Sequence, residues 1–349
     1  MSFSLVTGAT GFLGSQLVRT LISQGHSVKA LVRPGSNLEG LQGHPHDRFK
    51  IAVGDIRVEQ SVFAALAGCS RLYHVAANFT MWHPNPARVI EPTLQGMRAT
   101  LRAARARQLD KVVVTSSAGV LGTTLDELLM DESHAFNLTD PEAYFAAKVA
   151  ADAVVTEFVD AGLPVVTTLP VTIAGPGDWK PTPNGRLLLE YLNTPSTSHF
   201  PVSGGGISVV DVEDVAQGHV LAMERGLIGE RYVLGGDNLT FSGLFETLCD
   251  LTGLAEPTLP KSKGLMQLAG RLFELKARVL GGEPRITSRM ARDYVDTFSW
   301  VTSKKAEVLL GYRHRPAREA LARSVRWFLH NGYVPPQAAS RVRLELRPV

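Results

Sequence analysis

Three glycines early in the chain restrict its fold more than any other feature. The short β-branched run Ser4–Thr7 leads straight into Thr7-Gly8-Ala9-Thr10-Gly11-Phe12-Leu13-Gly14, and a helical pattern, Phe12–Gln24, begins inside that loop. A strand that passes through glycines into a helix suits a dinucleotide. The glycines permit a tight turn, backbone approach to a pyrophosphate and close helix–strand packing. The first helical amides, with the partial positive charge of the helix start, favour a diphosphate. Gly8, Thr10, Gly11, Phe12, Leu13 and Gly14 are therefore candidate cofactor contacts.

The rest of the first half repeats the strand–helix alternation. Apolar runs at Ser27–Val32, Lys50–Val53, Leu72–Ala76, Val112–Thr115 and Val165–Leu169 are separated by helical stretches at Glu59–Leu66, Val89–Gln108 and Pro141–Ala161. This predicts an α/β fold, a doubly wound parallel sheet of Rossmann type, with ligands beyond the carboxyl ends of the strands. The expected domains are a dinucleotide-binding part over 1–170 with a return segment at 207–237, and a smaller, mainly helical substrate lobe from 171–206 and 238–336. In the return segment we expect a strand at Ile207–Val210, a helix at Val212–Arg225 and a strand at Arg231–Leu234, all rejoining the sheet. Residues 337–349 read as a loose tail.

The ends of the strands indicate which dinucleotide. A carboxylate after the second strand would take the ribose 2′-hydroxyl of NAD. Here the chain reads Leu31-Val32-Arg33-Pro34-Gly35-Ser36, with no acid before Glu39. Arg33 can pair with a 2′-phosphate and Ser36 can add a hydrogen bond, which favours NADP(H); Arg33 stacking on the adenine of NAD(H) is the alternative. After the third strand, Asp55 can accept from the adenine amino group, with Ile56 beside it. After the fourth, Val75, Ala76 and Ala77 leave room for the cofactor at the backbone, and His74 reads as structural.

Tyr144-Phe145-Ala146-Ala147-Lys148 opens a long helical stretch. Its four-residue spacing stacks Tyr144 and Lys148 on one face. A phenol is a poor acid or base at neutral pH, and an adjacent ammonium, with the positive nicotinamide of an oxidised cofactor, is expected to stabilise the phenolate and lower its pKa. Thr115-Ser116-Ser117 ends the fifth strand and can bring a hydroxyl to the same crevice. In this order, glycine loop, serine strand end and YxxxK resemble the extended short-chain dehydrogenase/reductase superfamily, in its NAD-dependent epimerase/dehydratase branch, over residues 2 to about 333.

The resemblance implies Tyr144 as acid/base. Lys148 would lower its pKa and bind the nicotinamide ribose, and Ser117, before Ala118-Gly119, would polarise the substrate oxygen, with Ser116 as the substitute. It also implies cofactor contacts at Thr115, Ser116, Tyr144, Lys148, Pro170, Thr172 and Ile173, and a homodimer on the helices near 89–108 and 141–161. The family often has arginine before that proline; Leu169 stands here, one polar anchor fewer for a sugar nucleotide. Val32–Ser36 looks like dihydroflavonol-4-reductase-like proteins. Gly175–Pro183 and Gly229–Tyr232 look like the hopanoid-associated sugar epimerase subgroup.

Phe79, Trp82 and Trp179 fall in loops after strands, as does Thr197–Ile207. The three aromatics would form a wall for a ring or acyl substrate, or else pack the joint between the domains. Charge is uneven. Residues 261–349 hold 18 Lys+Arg against 7 Asp+Glu, a net of 18 − 7 = +11. Within them, Leu265, Leu268, Leu272, Leu275 and Val279 recur at helical spacing among Lys261, Lys263, Arg271, Lys276 and Arg278. The segment 262–280 reads either as ordinary packing on the substrate lobe or as a lid or membrane contact. No metal-ligand spacing and no nucleic-acid-binding pattern is present, the two cysteines (Cys69, Cys249) are far apart, and no apolar run approaches a membrane span. The expectation is a cytoplasmic protein with a small-molecule substrate. Net reduction of a ketone or aldehyde with NADPH is the first reading, sugar epimerisation or dehydration the second, and non-catalytic NADP(H) sensing the third.

Overall fold

The computed structural model describes residues 2–194, 204–257 and 262–343. Its first part runs β1 (Phe3–Thr7), α1 (Phe12–Ser23), β2 (Val28–Val32), β3 (Phe49–Val53), α2 (Glu59–Ala65), β4 (Cys69–His74), α3 (Ala87–Ala106), β5 (Lys111–Thr115), α4 (Ala143–Asp160) and β6 (Val165–Pro170). Then follow β7 (Thr172–Ala174), α5 (Pro183–Asn193), β8 (Gly205–Asp211), α6 (Val212–Arg225), β9 (Arg231–Leu234), β10 (Asp237–Thr240) and α7 (Phe241–Thr252). The chain finishes with α8 (Lys263–Leu280), α9 (Ser288–Tyr294), β11 (Thr297–Ser299), α10 (Lys304–Leu310), α11 (Ala317–His330) and α12 (Pro336–Ala339).

A seven-stranded parallel sheet has the order β3-β2-β1-β4-β5-β6-β9. β1, β5 and β6 are buried at successive positions because both faces are covered there. Leu5, Val112 and Val114 join one core with Leu101 and Val154 of α3 and α4; Val6 and Val113 point the other way, onto Leu17 of α1 and Val215 of α6. The strand order reverses between β1 and β4, which opens the crevice where such sheets bind ligands.

The expected return to this sheet is met by α6 and β9 but not by the strand before them. β8 instead pairs with β7, β10 and β11 in a second, four-stranded sheet. The sequence could not separate these outcomes, since an apolar β-branched strand reads alike in either sheet. β6 and β7 are separated by one residue, Val171, so the chain steps from one sheet to the other almost without a break. The smaller lobe is otherwise mainly helical, with a core that includes Tyr191, Phe245, Val325 and Phe328.

The expected tail is ordered as far as it is described. Ala338 is buried in that core, and the Arg343 amide donates to the Thr252 carbonyl over 2.8 Å. Residues 344–349 lie outside the described residues, as do Lys261 and most of the Thr197–Ile207 loop. No helix among the described residues is long and apolar enough to cross a membrane.

Candidate active site

The glycine loop has the geometry that a bound diphosphate needs. Gly8 adopts φ +69°, and a Cβ there would come within 2.7 Å of the Ala76 backbone. A Cβ at Gly14 would sit 2.0 Å from the Gly8 carbonyl, so α1 and the loop close on each other only through glycine. The residue at the start of α1 is Gly11, which brings no capping side chain, so the first amides of the helix stay available to an anion. The Ala76 amide donates to Thr7 Oγ1 over 3.3 Å, which brings the end of β4 alongside the loop. These residues fit a dinucleotide.

Arg33 is exposed just beyond β2, and the Ser36 amide donates to its carbonyl over 3.1 Å, forming a tight turn. Asp55 follows β3, as expected, and is already paired. Its carboxylate already accepts from Arg57, with Nη2 to Oδ2 at 2.6 Å, and this pairing holds its pKa below the usual carboxylate range. An adenine amino group would compete with that guanidinium. Ile56 packs towards Gly96 of α3, where a Cβ would meet its side chain at 2.9 Å.

Ser117, Tyr144 and Lys148 come together at the ends of β5 and the start of α4. The Ser117 hydroxyl accepts from the Gly119 amide over 3.1 Å and lies near enough to the Tyr144 phenol to act on its titration. Lys148 is buried, donates to the Thr115 carbonyl over 2.9 Å, and its ammonium lies 6.0 Å from the centre of the Tyr144 ring. Burial pushes the phenol up to about 12, against the smaller opposite effect of Ser117. It pushes the ammonium down to about 8, against the opposing charge of Asp152. In the free protein desolvation dominates and the phenol stays protonated at neutral pH.

The structure adds partners that sequence reasoning missed. Asp152 lies one further four-residue step along α4, facing Ser116 and Lys148, and the spacing that found Lys148 could have found it. His219 of α6 is wholly buried. Its Nε2 lies 2.8 Å from Thr115 Oγ1 and 2.9 Å from Thr168 Oγ1, and its Nδ1 is 2.8 Å from the Val215 carbonyl oxygen. It therefore fixes the side chain of the residue whose carbonyl holds Lys148. His74 is buried against Thr7 at 2.9 Å, as a structural histidine should be.

The aromatic residues separate into two groups. Phe79 lies against Tyr144, with ring centres 4.7 Å apart, and Phe145 continues the row to Tyr294 of α9 at 5.3 Å. The Tyr294 hydroxyl is buried without a hydrogen-bond partner. Trp82 is buried. Trp179 packs the joint instead: its ring meets Trp327 edge-on at 5.0 Å, its carbonyl accepts from the Tyr333 hydroxyl over 2.8 Å, and its indole lies against Gly40. A cavity of about 50 Å³ runs from Phe12 past Thr172 and Ile173 to apolar side chains such as Leu188 and Phe245, but is not lined by Ser117, Tyr144 or Lys148.

The model of the NAD dependent epimerase/dehydratase family matches residues 4–235, a span that takes in the whole loop and catalytic group. The chain belongs to this family. It is an NAD(P)-dependent enzyme of the extended short-chain dehydrogenase/reductase class. It is 32% identical to a putative dihydroflavonol 4-reductase from Synechocystis sp., over 95% of this chain and 96% of that protein. It is 31% identical to sterol demethylase protein B from Methylococcus capsulatus, over 95% and 99%. The crystal structure of gox2253 superposes with a TM-score of 0.82 at 32% identity, covering 96% of this chain and all of that one (100%). Reductases and epimerase/dehydratases both stand among the family's members, so the family alone does not choose between net reduction and an internally returned hydride.

Proposed function

We propose that the protein is an NADPH-dependent reductase of a ketone or aldehyde. The observation that carries this reading is the meeting of Ser117, Tyr144 and the buried Lys148 ammonium where β5 ends and α4 begins, which equips the site to hold a carbonyl oxygen and deliver a proton to it. A reduced nicotinamide, when bound, supplies the hydride. Ser117 donates a hydrogen bond to the carbonyl oxygen and holds it next to the phenol. Tyr144 gives its proton to the oxygen as negative charge grows there, and Lys148 stabilises the phenolate left behind. Thr115, His219 and Asp152 keep that ammonium in place and charged. Gly8, Thr10, Gly11, Phe12, Leu13 and Gly14 would hold the diphosphate. Val75, Ala76, Ala77, Ser116, Pro170, Thr172 and Ile173 would line the path of the nicotinamide half. Phe79 supplies an apolar wall beside Tyr144.

Arg33 supports the choice of NADPH, since an exposed guanidinium at the end of β2, with no acid following it before Glu39, suits a 2′-phosphate. The second reading, epimerisation or dehydration of a sugar-like substrate, draws on the family itself. A homodimer across α3 and α4 belongs to the same proposal, and sedimentation at micromolar concentration tests it.

Purified protein mixed with NADPH and a panel of ketones and aldehydes decides the matter. Stoichiometric NADPH oxidation with at least one carbonyl is the expected result. Tightly retained NAD, with substrate interconverted and no net cofactor turnover, would replace the reductase by the epimerase.

A further inference from the structure

α8 presents an apolar face to solvent. Leu265, Leu268, Leu272, Leu275 and Val279 follow one another at alternating three- and four-residue steps, which puts them in one narrow stripe. Their exposures run from 54% (Leu268) to 74% (Val279), and Leu280 beside them is 73% exposed. The helix is not short of an inner face. Met266, Gly270 and Ala277 are buried, Gly270 lies against the backbone of Thr287 and Ser288, and Glu274 accepts from both the amide (2.6 Å) and hydroxyl (2.9 Å) of Ser288. One side of α8 is thus fastened to α9, and the stripe lies on the other.

We propose that this stripe is a docking surface for an anionic lipid bilayer, with α8 lying in the interface plane. The charges beside it determine the partner. On a helical projection Arg271 and Arg278 lie along one edge of the stripe and Lys276 along the other. The one acid within α8, Glu274, is turned inward onto Ser288. Arg289 and Arg292, near Arg271, are already paired with Asp140 and Asp293, so among the described residues the free cations beside the stripe are those of α8 itself. An apolar stripe edged by cations alone matches acyl chains below and lipid phosphates beside them. A second copy of the same helix would meet like charge along both edges. α8 also rests on the helix that carries Tyr294, so a bilayer-bound molecule would present the Tyr144 side of the site near the membrane.

Co-sedimentation of the full chain with vesicles tests this, comparing phosphatidylcholine alone with phosphatidylcholine containing phosphatidylglycerol. The expected result is at least tenfold tighter binding to the anionic vesicles, weakened by high salt. Leu272→Glu with Leu275→Glu should abolish binding, and Arg271→Glu with Arg278→Glu should reduce it about tenfold or more. These positions are exposed, so circular dichroism and NADPH binding should match the parent, and both readouts are independent of which carbonyl is reduced. Parent protein that stays in the supernatant with anionic vesicles would overturn the proposal. So would sedimentation of the double glutamate variant equal to that of the parent. A concentration-dependent dimer lost in Leu272→Glu would assign the stripe to a second copy and equally overturn it.

Discussion

Lys148 reaches across from α4 to donate to the Thr115 carbonyl at the end of β5 over 2.9 Å, and the hydroxyl of that same threonine is held by His219. A charged group in a buried site is stable only while it is paired, and here its partners are one carbonyl and the more distant carboxylate of Asp152. The ammonium therefore gives up its proton at about 8, far more readily than a lysine in water.

Activity should follow that titration. As pH rises through about 8, Lys148 becomes neutral and kcat/KM for carbonyl reduction should fall, whereas Tyr144, held at about 12, stays protonated throughout. Asp152→Asn removes a charge that favours the ammonium, so the alkaline limb should move to lower pH. A limb that stays in place in this variant would assign it to another group.

Tyr144→Phe removes the proton donor and leaves the ring packed on Phe79. Turnover should fall by about 10²–10⁴-fold, the usual share of general acid catalysis, with NADPH affinity little changed. Stopped-flow measurement of hydride transfer beside fluorescence titration of NADPH separates the two effects.

Arg33→Asp should weaken NADPH binding by roughly 10–100-fold, the equivalent of losing about 1.5–3 kcal/mol of charge-assisted hydrogen bonding, and should leave NADH binding within a few-fold. Equal losses for both cofactors would mean that the guanidinium contacts a part they share.

Phe79→Ala takes away the ring against which Tyr144 lies. An aromatic pair adds about 0.5–1.5 kcal/mol beyond simple burial, so kcat/KM should drop roughly 2–10-fold. A smaller effect than with Trp179→Ala would reverse the assignment of the first ring to the site and the second to the joint.

His219 is kept neutral, with its pKa pushed down to about 4 by burial. Between the ordinary histidine range and that value, the unfolded chain binds a proton that the folded chain does not, so folding stability falls as pH falls. Going from pH 7 to pH 5 should cost about 2 kcal/mol from this residue alone. Urea unfolding at the two pH values should show a loss smaller by that amount in His219→Gln. Identical losses would mean that the ring is not buried and neutral.

What could be read in advance was local. The glycine loop and the Tyr144–Lys148 pair each lie within a few consecutive residues, and spacing along one turn already fixes their geometry. Asp152 follows the same rule. His219 and Tyr294 have no such signature, because they reach the site only through the packing of α6 on the sheet and of α9 under α8. The burial of Tyr144 was not legible in advance, because charge is visible in a sequence and desolvation is not. Trp179 was ambiguous for a related reason: a loop tryptophan reads the same whether it faces a ligand or, as here, Trp327 and Gly40.

The passage from β6 to β7 through Val171 bears on how the enzyme admits its substrate. A single residue pinned on both sides by ladder hydrogen bonds makes a poor hinge, and α6 ties the same two sheets together a second time. Opening and closing of the crevice should therefore not resemble two halves of a clamshell. The frame around Tyr144 keeps its shape, since α9 too is bound to it, through Arg289 on Asp140 and Tyr294 on Phe145.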